Sequence, residues 1–240
     1  MLEICKSFFD ALNAEGIRYC HWKSNSHLDA AVEGRTDLDV LVSPADKLVF
    51  ERQLVAFDFK QMLSPSDKQF PGFEDYLGFD YKTGRFVHLH VHYRLILGQR
   101  YIKNHELPLI EFYLDNLTQE QGVKIPCPEL ELLMLIIRAH LKTDIVSLAK
   151  HAIKDLMGAT YTAFPRDIEN EFRELYKASN PDKLAEMLHL ASLPLDENFC
   201  QVFLDRMTNG RLHFHHIWLG QRKILRRMKP YRRRVGPAVH

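Results

Sequence analysis

Residues 17–42 read IRYCHWKSNSHLDAAVEGRTDLDVLV, and the fold turns on this stretch. Its opening IRYCHW is β-branched and aromatic, the composition of a strand. Ser24, Asn25 and Ser26 follow with turn and N-cap chemistry; a short helix runs through Leu28 and Val32 and ends at Gly34. Asp37–Val42 starts by alternating polar and apolar residues and then becomes apolar, as a strand with one functional face does. Strand residues i and i+2 project to the same side, so Asp37 and Asp39 point together. Two carboxylates so placed repel each other, and a magnesium ion, which favours oxygen ligands, would resolve the repulsion. Just upstream, Trp22-Lys23-Ser24-Asn25 forms a strand-to-helix turn. Its backbone N–H groups, the Lys23 charge and the Ser24 hydroxyl suit a phosphate. A D-x-D pair alone is a weak signal; the turn before it strengthens the reading.

The flanking segments extend the pattern. Leu2, Cys5, Phe8, Phe9 and Leu12 stand at helical spacing and Gly16 stops that helix. Ser43-Pro44 is an N-cap with proline at the first helical position, opening a helix to about Ala56, and Phe57–Met62 reads as another strand. After the loop SPSDKQFPG (64–72), Tyr76–Tyr81 and Arg85–Leu95 flank Lys82-Thr83-Gly84, a hairpin signal. These elements predict an α+β fold over residues 1–125, a small mixed sheet of four or five strands flanked by helices. From Pro126 the texture is helical: CPELELLMLIIRAHLK (127–142), then segments near 145–157, 165–178, 181–191, 195–208 and 211–229, with no strand pattern after residue 125. The expected division is 1–125, a helical domain at 126–210, and a basic helix and tail at 211–240.

The second strand of the hairpin carries His88, His90 and His92 on one face and Val87, Leu89 and Val91 on the other. Three such histidines can take a transition metal or contact a substrate; they can equally be partly exposed strand residues. Arg94 and Lys103 follow, open either to phosphate or to solvent.

Composition excludes several classes. The 240 residues are 46% hydrophobic and 26% charged, a globular balance, and no apolar run is long enough to span a membrane. The four cysteines are scattered without a C-x-x-C pair, which points to reduced thiols in a cytoplasmic protein. The net charge of +1 hides an asymmetry: from Arg206 onward there are ten Lys and Arg and no acid. The residues before Arg206 carry 22 basic against 31 acidic groups, a net of −9. Such a tail serves as a linker to a further domain, a nucleic-acid contact or an anionic-surface contact.

The order strand, phosphate turn, short helix and D-x-D strand resembles the nucleotidyltransferase fold of the DNA polymerase beta type. By that resemblance Ser24 sits against a triphosphate, with Lys23 and Asn25 beside it, and Asp37 and Asp39 hold Mg2+ or Mn2+. The implied reaction transfers a nucleoside monophosphate from an NTP to an acceptor that the sequence does not specify. Two departures stand out. Lys23 replaces the glycine of the superfamily's Gly-Ser pair, and a third carboxylate is missing from the strand where His90 stands, with His88, His92 and Arg94 as accessories. Asp80 is an alternative source of that acid. HWKSN, GRTDLDVLV and H-x-H-x-H-Y-R-L are similar to uncharacterised bacterial domains fused ahead of thymidylate-kinase-like domains. The tail would then lead toward such a kinase, in cis or in trans, although the chain itself has no G-x-x-x-x-G-K-[ST] loop. The competing expectation is a catalytically degenerate nucleotide-binding or regulatory module.

Overall fold

The apolar spacing of the first residues forms α1 (Glu3–Ala14), which buries Cys5, Phe8, Phe9 and Leu12 on a single stripe. Phe8 anchors an aromatic cluster, edge-on to Phe50 at 5.7 Å between ring centroids and tilted on Phe59 at 5.0 Å. Each such pair is worth about 1 kcal/mol beyond its buried area. In the computed structural model the described residues are 1–65, 69–98, 105–142 and 166–190, with 149–150, 153, 156–157, 218, 221–222, 224–226 and 229–230. Expectations for a helix at 195–208, for most of 145–157 and 211–229, for Lys103 and for the tail at 231–240 lie outside them.

The chain divides into two compact units, Met1–Leu95 with Leu109–Cys127, and Ile96–Pro108 with Pro128–Tyr231. In the first, α1 leads to β1 (Tyr19–His21), a 3-10 turn (Asn25–His27), α2 (Leu28–Val32) and β2 (Leu38–Val42). Ser43 then accepts the Ala45 N–H at 3.3 Å and opens a 3-10 turn (Pro44–Asp46) into α3 (Lys47–Ala56), so the expected single helix begins as a tighter turn. β3 (Lys60–Met62), β4 (Phe73–Asp80) and β5 (Arg85–His92) complete a mixed five-stranded sheet in the order β1-β2-β5-β4-β3. All its pairs are antiparallel except β2 with β5, which are parallel. The architecture is therefore α+β, as the alternation of elements predicted. One face of the sheet, with Leu38, Val40, Val42, Val87, Leu89 and Val91, is buried in the core with the apolar sides of α1 and α3. The opposite face carries the polar residues considered below.

The same unit contains α4 (Ile110–Asp115) and a hairpin of β8 (Leu117–Glu120) and β9 (Val123–Pro126). Gln121 and Gly122 turn that hairpin with positive φ at both positions (50° and 84°), the geometry of a type I′ turn.

In the second unit, Pro128 and Glu129 start α5 (Pro128–Lys142), which packs against α6 (Arg166–Ala178) and α7 (Pro181–Leu190). Glu129 is nearly buried, and its carboxylate accepts the Asn180 N–H at 2.8 Å and pairs with Lys183 at 3.1 Å. The unit is not purely helical. β6 (Ile96–Leu97) pairs with β7 (His105–Glu106), and β7 pairs with β10 (Lys229–Pro230), so a strand does follow residue 125. A two-residue strand ending in proline has no alternation to detect, because its conformation comes from a distant partner. Among the described residues no helix is long and apolar enough to cross a membrane.

Candidate functional site

Parallel pairing of β2 with β5 sets Asp39 beside His90 and Leu41 beside His92, and antiparallel pairing of β4 with β5 sets Asp75 opposite His90. Cross-strand neighbours share a face. Asp37, Asp39, Asp75, His88, His90 and His92 thus converge from three adjacent strands. Trp22 continues the β1–β2 ladder, its N–H donating to the Asp39 carbonyl at 3.2 Å, and brings the turn alongside.

Lys23 stands at φ 88°, in the left-handed region that favours glycine. Its ammonium pairs with Asp39 and lies 3.2 Å from His92 Nε2, which is itself 3.1 Å from Asp39 Oδ1. The pair is only partly open, the side chains being 27% and 21% exposed. Burial raises the Asp39 carboxyl pKa, but the His92 hydrogen bond and the Lys23 charge outweigh it and hold the group well below the usual carboxylate range. Burial, aided by the Lys23 charge, pushes His92 well below an ordinary imidazole and keeps it neutral. His92 is 1% exposed, wedged edge-on against Trp22 (4.9 Å) and Phe73 (4.5 Å).

Asp37 is a different kind of acid, 64% exposed and just before β2, where it accepts from His88 Nδ1 at 2.7 Å. His88 also donates from Nε2 to Asp75 at 3.1 Å. Burial works against its charged form, yet the contacts with Asp37 and Asp75 prevail and raise its pKa. His90 donates from Nδ1 to Asp75 at 2.6 Å while its ring stacks on Phe73 at 5.6 Å. That bond is the largest cause lowering the Asp75 carboxyl.

The remaining predicted residues take lesser places. Ser24 precedes a 3-10 turn of three residues, its hydroxyl 2.9 Å from that of Ser26, and Asn25 Oδ1 lies 3.1 Å from His21 Nδ1. Because α2 has only five residues, the macrodipole contributes little, and the positive charge at the turn is Lys23 itself. The stem of Arg94 lies against Gly72, in the loop before β4.

Asp80 stands at the turn end of the hairpin, opposite Arg85 and not beside His90. It accepts from the Ile4 N–H (3.0 Å) and from Thr83 at both N–H (3.0 Å) and hydroxyl (2.6 Å), tying the start of α1 to the β4–β5 turn. The acid beside the histidines is Asp75, which falls outside a strand begun at Tyr76. Extending the hairpin register back from Asp80 opposite Arg85 reaches Asp75 opposite His90, so a signal was there.

The donor set also bears on the ion. Magnesium prefers six oxygen ligands. Here one carboxylate carries a lysine, a second lies against a histidine, and an imidazole stands beside the first across the strands. That mixed set does not fit a pair of magnesium ions.

No family model matches the chain, and no curated protein sequence matches it. A solved structure that it resembles is the crystal structure of JHP933 from Helicobacter pylori, at 14% identity over 93% of this chain and 91% of that one, with a TM-score of 0.34. A likeness so slight decides neither fold nor activity.

Proposed function

We propose that the chain is a nucleotidyltransferase-like protein that takes the phosphates of a nucleoside triphosphate on the polar face of β1, β2 and β5. The observation that carries this reading is Lys23, a non-glycine residue held at φ 88° so that its ammonium stands over Asp39 at the edge of the turn. A left-handed non-glycine residue costs about 1–3 kcal/mol, and such outliers concentrate at ligand clamps. Leaving Asp39, the ammonium pairs with a phosphate, with the Ser24 hydroxyl and the Asn25 amide donating beside it. Transfer would join an acceptor oxygen to the α-phosphorus as the bond to pyrophosphate breaks, the acceptor's proton passing to the accessible Asp37 carboxylate. The Lys23–Asp39 pair also favours a second reading, nucleotide binding without turnover, because it occupies the acid that would otherwise face the substrate.

Calorimetry with ATP, in Mg2+ and separately in Mn2+, on the wild-type chain and on Lys23→Met tests the assignment. Binding by the wild type and its loss in Lys23→Met are expected; equal affinity for both removes the site. Label transfer from NTPs to a mixture of small-molecule, protein and RNA acceptors excludes the binding-only reading.

A further inference from the structure

The Lys23 ammonium touches two atoms at once, Asp39 Oδ1 and His92 Nε2. Asp39, His90 and His92 each offer one ligand atom, and the three atoms all lie within 4.8 Å of one another. One carboxylate and two imidazoles are a donor set for a first-row transition ion, since imidazole suits zinc, copper, iron and nickel whereas magnesium wants oxygen. An ion holding N and O ligands at about 2.1 Å in a tetrahedron spaces them roughly 3.4 Å apart, so the widest pair of a group within 4.8 Å would close by up to about 1.4 Å.

The surroundings match a metal centre. Ligating histidines commonly donate their other ring N–H to a carboxylate, which fixes the tautomer and the ring. His90 has that partner in Asp75 at 2.6 Å, and Phe73 stacks on its face. The His92 ring is fixed instead by packing between Trp22 and Phe73, its Nδ1 buried without a hydrogen-bond partner among the described residues. Asp39 and His90 keep about a fifth of their side-chain surface open, leaving a route for an ion and an open coordination position.

We propose that Asp39, His90 and His92 form a site for one divalent transition ion, and that Lys23 is the internal cation this ion displaces. A lysine charge on a would-be ligand weakens metal binding, and the metal in turn frees the lysine. If the phosphate reading above holds, on which this last step alone rests, the freed ammonium meets the phosphate, so that ion and anion each strengthen the other's binding. Such coupling is reciprocal.

The test is titration of the chelator-treated chain with Co2+ alone, followed by visible absorption and calorimetry. One equivalent should bind, Zn2+ should displace it, and Mg2+ in hundredfold excess should not. Asp39→Asn and His90→Gln should each weaken binding more than about tenfold, and His189→Gln, an exposed histidine on α7 of the second unit, should leave it unchanged. Lys23→Met should tighten binding by about tenfold, a gain that a misfolded variant cannot produce. Equal binding in Asp39→Asn and His90→Gln, or displacement of Co2+ by equimolar Mg2+, overturns the metal site. Unchanged Co2+ affinity in Lys23→Met overturns the competitor role. Sulfate, a tetrahedral oxyanion that holds Co2+ only weakly in solution, should tighten Co2+ binding several-fold in the wild type and not in Lys23→Met. Loss of that effect alone, with Co2+ still bound, overturns the phosphate role of Lys23 and leaves the metal site standing.

Discussion

Replacing Lys23 separately by glycine and by alanine isolates the backbone of the turn from its charge. Both variants remove the ammonium and leave the partly buried Asp39 with His92, a loss of about 1–3 kcal/mol for an under-satisfied charged group. They differ only in backbone. At φ 88° alanine keeps a left-handed penalty of about 1–2 kcal/mol, which glycine does not bear. Glycine is freer in the unfolded chain, which returns about 0.4–1 kcal/mol to alanine. The balance favours Lys23→Gly over Lys23→Ala by about 1 kcal/mol, with the wild type at or above both. At an m-value of about 2 kcal/mol/M this separates the two urea midpoints by about 0.5 M, and the melting temperatures by roughly 2–4 °C. Trp22 precedes the substituted residue and is fully buried, so its fluorescence follows the unfolding of this unit. If Lys23→Ala proves as stable as Lys23→Gly, the turn does not hold a glycine-type conformation, and the clamp argument falls with it.

Two further outcomes follow from the same geometry. Gly34 has φ 67°, and a Cβ there would come 2.5 Å from the Phe86 carbonyl oxygen, a backbone atom that cannot swing aside. Gly34→Ala should therefore cost more than about 2 kcal/mol, whereas Gly84→Ala (φ 71°, with nothing within 4 Å) should cost about 1; equal urea midpoints for the two would contradict the close approach. Burial pushes His140 down to about 4, its Nδ1–H donating to the Ile136 carbonyl at 2.8 Å. Between about pH 6.5 and 4 the unfolded chain thus binds a proton at this residue that the folded chain refuses, so the His140 contribution to stability is constant above this window and falls by up to roughly 3 kcal/mol as pH drops through it. His140→Leu should flatten that slope in chemical denaturation; an unchanged slope would assign it to other groups.

Local pattern reaches far into this chain. Cys5, Phe8, Phe9 and Leu12 mark α1 because a helix that buries one face must repeat its apolar residues every three or four positions. The alternation of Val87, Leu89 and Val91 with the three histidines marks β5 and its two faces for the same kind of reason. D-x-D on a strand places both acids on one side without knowledge of a neighbour. What becomes of those acids is not local. Asp39 meets Lys23 and His92, and Asp37 meets His88, only because β2 lies parallel to β5 and β1 feeds the turn across its edge. The two-residue β10 likewise takes its conformation from pairing with β7, more than a hundred residues away in the chain.

The amino-acid order alone thus determined the principal helices and strands up to His92 and the helices from Pro128, the face on which carboxylates and imidazoles lie, and the turn that carries a lysine, but it did not mark α4 or the short strands β6 to β10. Periodicity and glycine placement are properties of neighbouring residues, and they need no partner. Only the tertiary structure decided that Asp75 supports the histidines, that Asp80 does not join them, and that the lysine already occupies the place of a cation. Electrostatic partnership depends on distances across strands, which the register of the sheet sets and the spacing of residues along the chain does not.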